Sequence, residues 1–306
     1  MKSREKIWDK SERLSLGLIG WPVAHSHSPE IHHAAMREFN IRGDYRLYPV
    51  KPLPEGQAVL TDLISKIRQG KLHGVNITIP HKQAIGSFLD GLTDTALKIG
   101  AVNTIVPRQG SLIGENTDAG GFLADLKRVF SWENIMDGDE KWVVNPHALV
   151  LGAGGAARAV VYALFSAGWS VTVAARRIEQ AEILKSSFHG IESRGSLSAL
   201  KLAASELSSL ISEITLVVNA TPVGMSPDRD RSPWPDNLPL STSAAVYDLV
   251  YNPVETHFMR TAREAGQMAA NGMGMLVEQA ALAFECWTGL APSRELLLRQ
   301  MLHQEV

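Results

Sequence analysis

The sequence predicts an α/β protein built from two domains. Short apolar runs alternate with amphipathic helical patterns along most of the chain, which is typical of sheets flanked by helices. A glycine-rich turn that begins at Gly152 lies between an apolar run and a helical pattern, and it indicates a βαβ unit. The length of 306 residues favours two domains over one. A polar, turn-rich stretch over 131–146 is the candidate boundary between them.

The composition excludes several classes of protein. Hydrophobic residues make up 45% and charged residues 20% of the chain, as in ordinary globular proteins. Lys and Arg number 30 and Asp and Glu 32, so the basic surface of a nucleic-acid or membrane-surface binder is not expected. No apolar run is long enough to span a membrane, and the single cysteine excludes an internal disulfide. We therefore expect a cytoplasmic protein without nucleic-acid or membrane partners. No metal site is predicted either.

Strands in the first half are predicted from apolar and β-branched runs. These runs cover residues 14–20, 45–50 and 75–79, and two more lie within 101–118. The third run ends before Pro80, which has no N–H to donate in a sheet. The last two strands flank a turn at Gln109-Gly110.

Helices in the first half are predicted from their start signals, stop signals and amphipathic patterns. They cover residues 29–40, 55–70, about 82–89 and 120–130. Ser28 is placed at the N-cap of the first helix and Pro29 at its first helical position. Gly70 ends the second helix.

The second half predicts a Rossmann-type βαβ unit followed by further parallel strands. Residues 147–177 are arranged as strand, glycine turn, helix and strand within about thirty residues, the size of such a unit. Two more strands are expected within 214–222 and 244–253, a proline-rich loop over 226–241, and helices over 272–289 and 293–302.

The glycine turn indicates dinucleotide binding. Gly152 permits a tight turn, Gly154 lets backbone approach a pyrophosphate, and Ala157 is small enough for helix-on-strand packing. The helix that follows presents free N–H groups to phosphates. Expected cofactor contacts in this turn are Gly152, Ala153, Gly154, Gly155 and Ala156. The alternative is a tight turn that binds nothing.

The end of the next strand favours NADP over NAD. An NAD site carries a carboxylate there for the ribose 2′-hydroxyl, but this chain has Arg176 and Arg177, with no acid before Glu179. A guanidinium suits the 2′-phosphate of NADP. The alternative is that both arginines are solvated loop residues.

Polar residues in the first half follow the predicted strands and are expected to meet at the carboxyl edge of a sheet. They are Ser26, Ser28, Asn76, Thr78, Lys82, Asn103, Asn116, Thr117 and Asp118. Together they supply hydroxyl and amide partners for a polyol, and one ammonium and one carboxylate for proton transfer. Each has a purely structural alternative: Ser28 and Asp118 as helix caps, and Lys82 as a lysine with an exposed head.

These motifs together resemble the shikimate dehydrogenase family, from about Leu16 to the C-terminus. The resemblance rests on the order of GWPVAHSHSPEIHH, NITIPHK, AVNT, GENTDAGGF, GAGGAAR, NATPVGM, YDLVYNP and NGMGMLVEQAA. It implies a catalytic lysine at Lys82 with Asp118 as its partner, and substrate contacts at Ser26, Ser28, Thr78, Asn103, Asp118, Tyr251 and Gln279. Further cofactor contacts are implied at Asn219, Ala220, Thr221, Leu249 and Gly272.

The resemblance also implies a domain arrangement and a reaction. A substrate domain over 1–119, completed by helices over 271–306, would face a Rossmann NADP domain over 120–270 across a cleft. The implied reaction is the reversible, NADP-dependent reduction of 3-dehydroshikimate by a monomer or homodimer. Quinate/shikimate or aminoshikimate dehydrogenase activity, or a non-catalytic nucleotide sensor, are the alternatives.

The chain also departs from the family pattern at the second Rossmann strand. It has Ala175-Arg176-Arg177 where many members have Asn-Arg-Thr, and Gln180 where some carry another arginine. The cofactor preference is therefore less firmly implied than the reaction.

Overall fold

The computed structural model describes residues 12–130, 146–241 and 243–302. The chain divides into two compact units. Unit 1 consists of Met1–Gly121 with Leu276–Val306, and unit 2 is Phe122–Met275. The candidate boundary over 131–146 falls almost wholly outside the described residues.

Unit 1 is an α/β layer built on a six-stranded sheet. Its strands are β1 (Leu14–Gly20), β2 (Gly43–Pro49), β3 (Gly74–Ile77), β4 (Gly91–Leu92), β5 (Thr104–Arg108) and β6 (Ser111–Glu115). The strand order is β2-β1-β3-β5-β6-β4, with β1 parallel to β2 and β3 and with β5 antiparallel to β3 and β6. Because β1 and β3 run in parallel, their carboxyl ends lie on the same edge of this sheet.

The helices of unit 1 come from both ends of the chain. They are α1 (Ser28–Glu38), α2 (Gln57–Arg68), α3 (Asp94–Ile99), the start of α4 (Asp118–Phe130), most of α9 (Met273–Thr288) and α10 (Arg294–Leu302). A Cβ atom added at Gly74 in β3 would lie 2.2 Å from the Trp287 Nε1 atom of α9. That indole N–H donates to the Ile105 carbonyl at 3.0 Å, so α9 packs directly against the sheet.

Four local predictions in unit 1 need correction. His27 is the N-cap of α1 and Ser28 is the first helical residue, because the Ser28 hydroxyl bonds to Ser26 instead of capping. β3 ends at Ile77, two residues early, where its pairing to β1 ends. A short 3₁₀ helix over Ala84–Phe88 replaces the helix predicted over 82–89. The helix predicted from 120 starts at Asp118.

Unit 2 is a doubly wound Rossmann sheet. Its elements are β7 (His147–Leu151), α5 (Gly155–Ser166), β8 (Ser170–Ala175), α6 (Ile178–Ser187), β9 (Leu197–Lys201), α7 (Ala204–Leu207), β10 (Leu216–Asn219), β11 (Ala245–Asp248), α8 (His257–Glu264) and β12 (Ala269–Asn271). All strand pairs are parallel, in the order β12-β11-β10-β7-β8-β9. The α/β prediction is confirmed, and residues 226–241 contain no helix or strand, as predicted.

Helices in the described parts of the chain are all too short or too polar to cross a membrane.

Candidate functional site

Lys82 and Asp118 form an ion pair in unit 1 that is largely shielded from solvent. The Lys82 Nζ atom lies 2.6 Å from Asp118 Oδ2, and the two side chains are only 14% and 5% exposed. The alternative of a lysine with an exposed head does not hold, because the Lys82 ammonium is paired with the buried Asp118 carboxylate. Such a charge-assisted hydrogen bond fixes both side chains, and poor solvation strengthens it.

The start of α4 holds Asp118 in place. Asn116 Oδ1 accepts hydrogen bonds from the backbone N–H groups of Asp118 at 3.1 Å and Ala119 at 3.3 Å. Asn116 therefore fills the capping role that the sequence suggested for Asp118. The Asp118 carboxylate is left free for Lys82.

Asn103 links the ion pair to two other buried polar side chains. Its Nδ2 atom lies 2.9 Å from Asp118 Oδ1, 2.8 Å from Thr117 Oγ1 and 3.3 Å from Gln279 Oε1. Its Oδ1 accepts the Thr117 backbone N–H at 2.7 Å. Four of the predicted site residues, Lys82, Asn103, Asp118 and Gln279, thus belong to one hydrogen-bonded network.

Asn76 holds the backbone and side chains next to this network in place through hydrogen bonds to Asn103 and Thr104. It lies in β3 and donates from Nδ2 to the Asn103 carbonyl at 3.2 Å and to Thr104 Oγ1 at 3.0 Å. Its Oδ1 accepts the Tyr45 hydroxyl at 2.8 Å. With every polar atom engaged inside the unit, Asn76 has a structural role, whereas the sequence placed it among the ligand-facing residues.

Ser26, Ser28 and Thr78 lie after β1 and β3, on the shared carboxyl edge. The Ser26 hydroxyl donates to Ser28 Oγ at 3.1 Å, and Ser26 Oγ accepts the Ser28 backbone N–H at 3.3 Å. Thr78 donates its backbone N–H to the Ile19 carbonyl at 2.9 Å and packs its methyl group against Gly20. These hydroxyl groups suit a ligand that carries carboxylate or hydroxyl groups.

In unit 2 the glycine turn forms an open cradle. Gly152 has φ of +109°, a conformation that favours glycine, and a Cβ added there would lie 3.0 Å from Thr221 Cγ2. A Cβ added at Gly154 would meet nothing within 4 Å. α5 starts at Gly155, so its first N–H groups have no acceptor inside the helix. Together these features fit the pyrophosphate of a dinucleotide.

Arg176 and Arg177 follow β8 and are exposed. Arg177 is the N-cap position of α6, without a side-chain cap bond. No ion pair is recorded for either guanidinium within the described ranges. Both charges are therefore accessible to an anionic ligand.

The remaining predicted cofactor residues lie at the carboxyl ends of β10, β11 and β12. Asn219 Oδ1 accepts hydrogen bonds from the Thr221 backbone N–H at 3.0 Å and the Thr221 hydroxyl at 2.7 Å. A Cβ added at Gly272 would lie 2.2 Å from the Leu249 carbonyl oxygen, so only glycine fits there. Ala220 lies between Asn219 and Thr221, and Tyr251, half-buried, follows β11 in the same unit.

Tyr45 and Asp248 are buried polar residues that the sequence reasoning missed. Tyr45 is 3% and Asp248 0% exposed. Tyr45 bonds to Asn76, and Asp248 bonds to the predicted cofactor residue Asn219. The signal that identified Lys82 could also have identified Asp248, because Asp248 too is a charged residue at the end of an apolar strand. Burial raises the pKa of the Asp248 carboxyl to about 6.

Comparisons with known proteins cover most of the chain. The family described as shikimate dehydrogenase substrate binding domain matches residues 18–105, and the shikimate 5'-dehydrogenase C-terminal domain matches 272–302. A Carboxydothermus hydrogenoformans protein named shikimate dehydrogenase (NADP(+)) is 39% identical over 277 residues, covering 90% of this chain and 92% of that protein.

Two solved structures have a similar fold. Shikimate 5-dehydrogenase from Thermus thermophilus, in complex with NADP(H) and shikimate, has a TM-score of 0.78 at 37% identity, with 95% of this chain and 99% of that chain covered. Quinate dehydrogenase from Corynebacterium glutamicum, in complex with NAD, has a TM-score of 0.81 at 28% identity, with 95% and 99% covered.

Proposed function

This chain belongs to the shikimate dehydrogenase family, and from that premise we propose that it catalyses the NADP-dependent, reversible reduction of 3-dehydroshikimate to shikimate, a step of aromatic amino acid biosynthesis. The observation that carries the proposal is the Lys82–Asp118 pair. A structural lysine at a strand end would turn its head to water, whereas this one is paired with a buried carboxylate that Asn103 also holds.

Lys82 and Asp118 are the proposed catalytic residues. During carbonyl reduction, negative charge develops on the carbonyl oxygen. The Lys82 ammonium would stabilise that charge and donate a proton to the oxygen. Asp118 would hold the ammonium in position. In the reverse direction, Lys82 would accept the proton from the substrate hydroxyl.

The proposed substrate contacts divide by chemistry. Ser26 and Ser28 would hold the carboxylate, because two adjacent hydroxyls can donate to its two oxygens. Thr78, Asn103, Asp118 and Gln279 would bond the ring hydroxyls, and Tyr251 is proposed as a further substrate contact. We accordingly propose unit 1 as the substrate domain and unit 2 as the NADP domain.

NADPH, when bound, supplies the hydride. The residues proposed to hold the cofactor fall into three groups: the turn from Gly152 to Ala156, the arginines Arg176 and Arg177, and the strand-end residues Asn219, Thr221, Leu249 and Gly272. The open space at Gly154 and the exposed guanidiniums fit a pyrophosphate and a 2′-phosphate. The enzyme is further proposed to work in the cytoplasm as a monomer or homodimer.

Steady-state oxidation of shikimate and of quinate, each with NADP and with NAD, tests the proposal. We expect the highest kcat/KM with shikimate and NADP. Quinate carries an extra hydroxyl on the carbon that bears the carboxylate, and discrimination against an added hydroxyl is on the order of 10²-fold. Comparable kcat/KM for quinate would move the assignment to a quinate/shikimate dehydrogenase. NADP binding without turnover would favour a sensor.

A further inference from the structure

Asp248 is a fully buried carboxylate surrounded by neutral donors. Its Oδ1 accepts hydrogen bonds from Asn219 Nδ2 at 2.8 Å and the Val250 backbone N–H at 3.0 Å, and its Oδ2 accepts the Thr256 hydroxyl at 2.7 Å. No cation compensates its charge among these partners, so burying it is costly, as its raised pKa shows. A carboxylate kept at such a site calls for a role beyond packing.

The carboxylate fixes the orientation of the Asn219 amide. Because an ionised carboxylate only accepts hydrogen bonds, Asn219 must turn its NH₂ group towards Asp248. That NH₂ group also donates to the Val223 carbonyl at 3.2 Å. Asn219 Oδ1 is therefore directed to the backbone N–H and hydroxyl of Thr221. Thr221 in turn packs against Gly152, the first glycine of the phosphate-binding turn.

A second set of contacts extends from Asp248 to the segment after β11. The Val250 N–H bonds to Asp248, and the Leu249 N–H donates to the Asn219 carbonyl at 2.9 Å. Gly272 lies against the Leu249 carbonyl and donates its N–H to the Val250 carbonyl at 3.3 Å. The segments that follow β10, β11 and β12 are thus held together around the Asp248 carboxylate.

We propose that Asp248 is a positioning residue that fixes the cofactor-binding segments at Asn219–Thr221 and Leu249, and thereby sets the affinity for NADP. The inference rests on the proposed function, because it assigns these segments to the cofactor. Asp248 acts through Asn219 and Val250 and is not itself placed in contact with the cofactor.

The test compares NADP dissociation constants by isothermal titration calorimetry for the wild-type chain and three variants. Asp248→Ala removes all three acceptor contacts and should raise the NADP Kd about tenfold, the size expected when a charge-assisted hydrogen bond is lost. Asp248→Asn keeps the shape and one acceptor oxygen, and should stay within about threefold of wild type. The KM for shikimate should change less than twofold in both variants.

Thr256→Val is the matched control. It removes a hydroxyl that touches the same carboxylate and caps α8, but it leaves the Asn219 and Val250 contacts intact. We expect a lower melting temperature and an unchanged NADP Kd. Should Asp248→Ala not fold, Asp248→Ser replaces it under the same criteria, because a serine hydroxyl is too short to reach Asn219.

An Asp248→Ala or Asp248→Ser protein that binds NADP like wild type overturns the inference. So does a Thr256→Val protein that loses as much NADP affinity as the Asp248 variants, since the effect would then be general destabilisation. A wild type that binds NADP but does not oxidise shikimate contradicts the proposed function alone. The comparison of Asp248 variants would still decide the inference.

Discussion

Replacing Lys82 by methionine separates its catalytic role from its structural one. Methionine keeps most of the apolar stem but removes the ammonium, and the loss of a general acid typically lowers rates by about 10²–10⁴-fold. We therefore expect kcat for shikimate oxidation to fall at least about 10²-fold, or about 3 kcal/mol of barrier. The KM for shikimate should move much less, because Ser26, Ser28 and Thr78 remain.

The same substitution should also lower stability, because Asp118 is left as a buried carboxylate without its counter-charge. Removing one partner of a fully buried pair costs about 3–5 kcal/mol. Lys82 is partly exposed and Asn103 still donates to Asp118, so we expect about 1–3 kcal/mol, or roughly 2–12 °C in melting temperature.

The double variant Lys82→Met with Asp118→Asn provides the control. It removes both charges, so the melting temperature should recover while kcat stays as low as in the poorer single variant. Steady-state kinetics and thermal melts on Lys82→Met, Asp118→Asn and the double variant measure kcat and the melting temperature. A Lys82→Met enzyme with more than a tenth of wild-type kcat, or a double variant that regains activity with stability, would refute the catalytic assignment.

Three further predictions concern unit 2. Arg176→Ala should raise the KM for NADP about tenfold and leave that for NAD nearly unchanged, and equal effects on both would contradict a 2′-phosphate contact. Asp248 has a folded pKa of about 6, above its unfolded 3.8, so its contribution to stability is present at low pH and is lost as pH rises through 6. Urea denaturation should thus show that the free energy of unfolding of wild type rises by about 2 kcal/mol relative to that of Asp248→Asn between pH 7.5 and pH 4, whereas the same pH dependence in both proteins would disprove the raised pKa. Gly272→Ala should lose about 1–3 kcal/mol of stability and bind NADP more weakly, because its Cβ meets the Leu249 carbonyl, and a neutral result in melts and titration would count against that contact.

Elements with a local signal were predictable from sequence. The glycine turn, its flanking strands and the Gln109-Gly110 hairpin are confirmed, because the residues that specify them are adjacent in the chain. Both turn residues have positive φ, as a tight hairpin requires. By contrast, β12 was missed because three residues become a strand only through pairing with β11. The half-exposed edge strand β9 lacked a continuous apolar run.

The sequence predicted which residues belong to the candidate site but not the hydrogen bonds that join them. Lys82, Asn103, Asp118 and Gln279 carried motif signals, yet the Asn103–Gln279 contact joins residues 176 positions apart. The partial burial of Lys82 and the full burial of Asp248 depend on contacts between distant parts of the chain, and neither could be identified from its neighbours in sequence. Substrate and cofactor roles of the individual residues stay predictions.

The interrupted order of unit 1 along the chain has a consequence for synthesis on the ribosome. The sheet of unit 1 is complete by Glu115, but α9, whose Trp287 packs on Gly74, is translated only after unit 2. At 5–20 residues per second, the roughly 150 intervening residues impose a delay on the order of 10–30 s. During that interval the apolar face that α9 covers has no partner from its own unit. We therefore expect the nascent chain to be prone to aggregation through this face while unit 2 is being made.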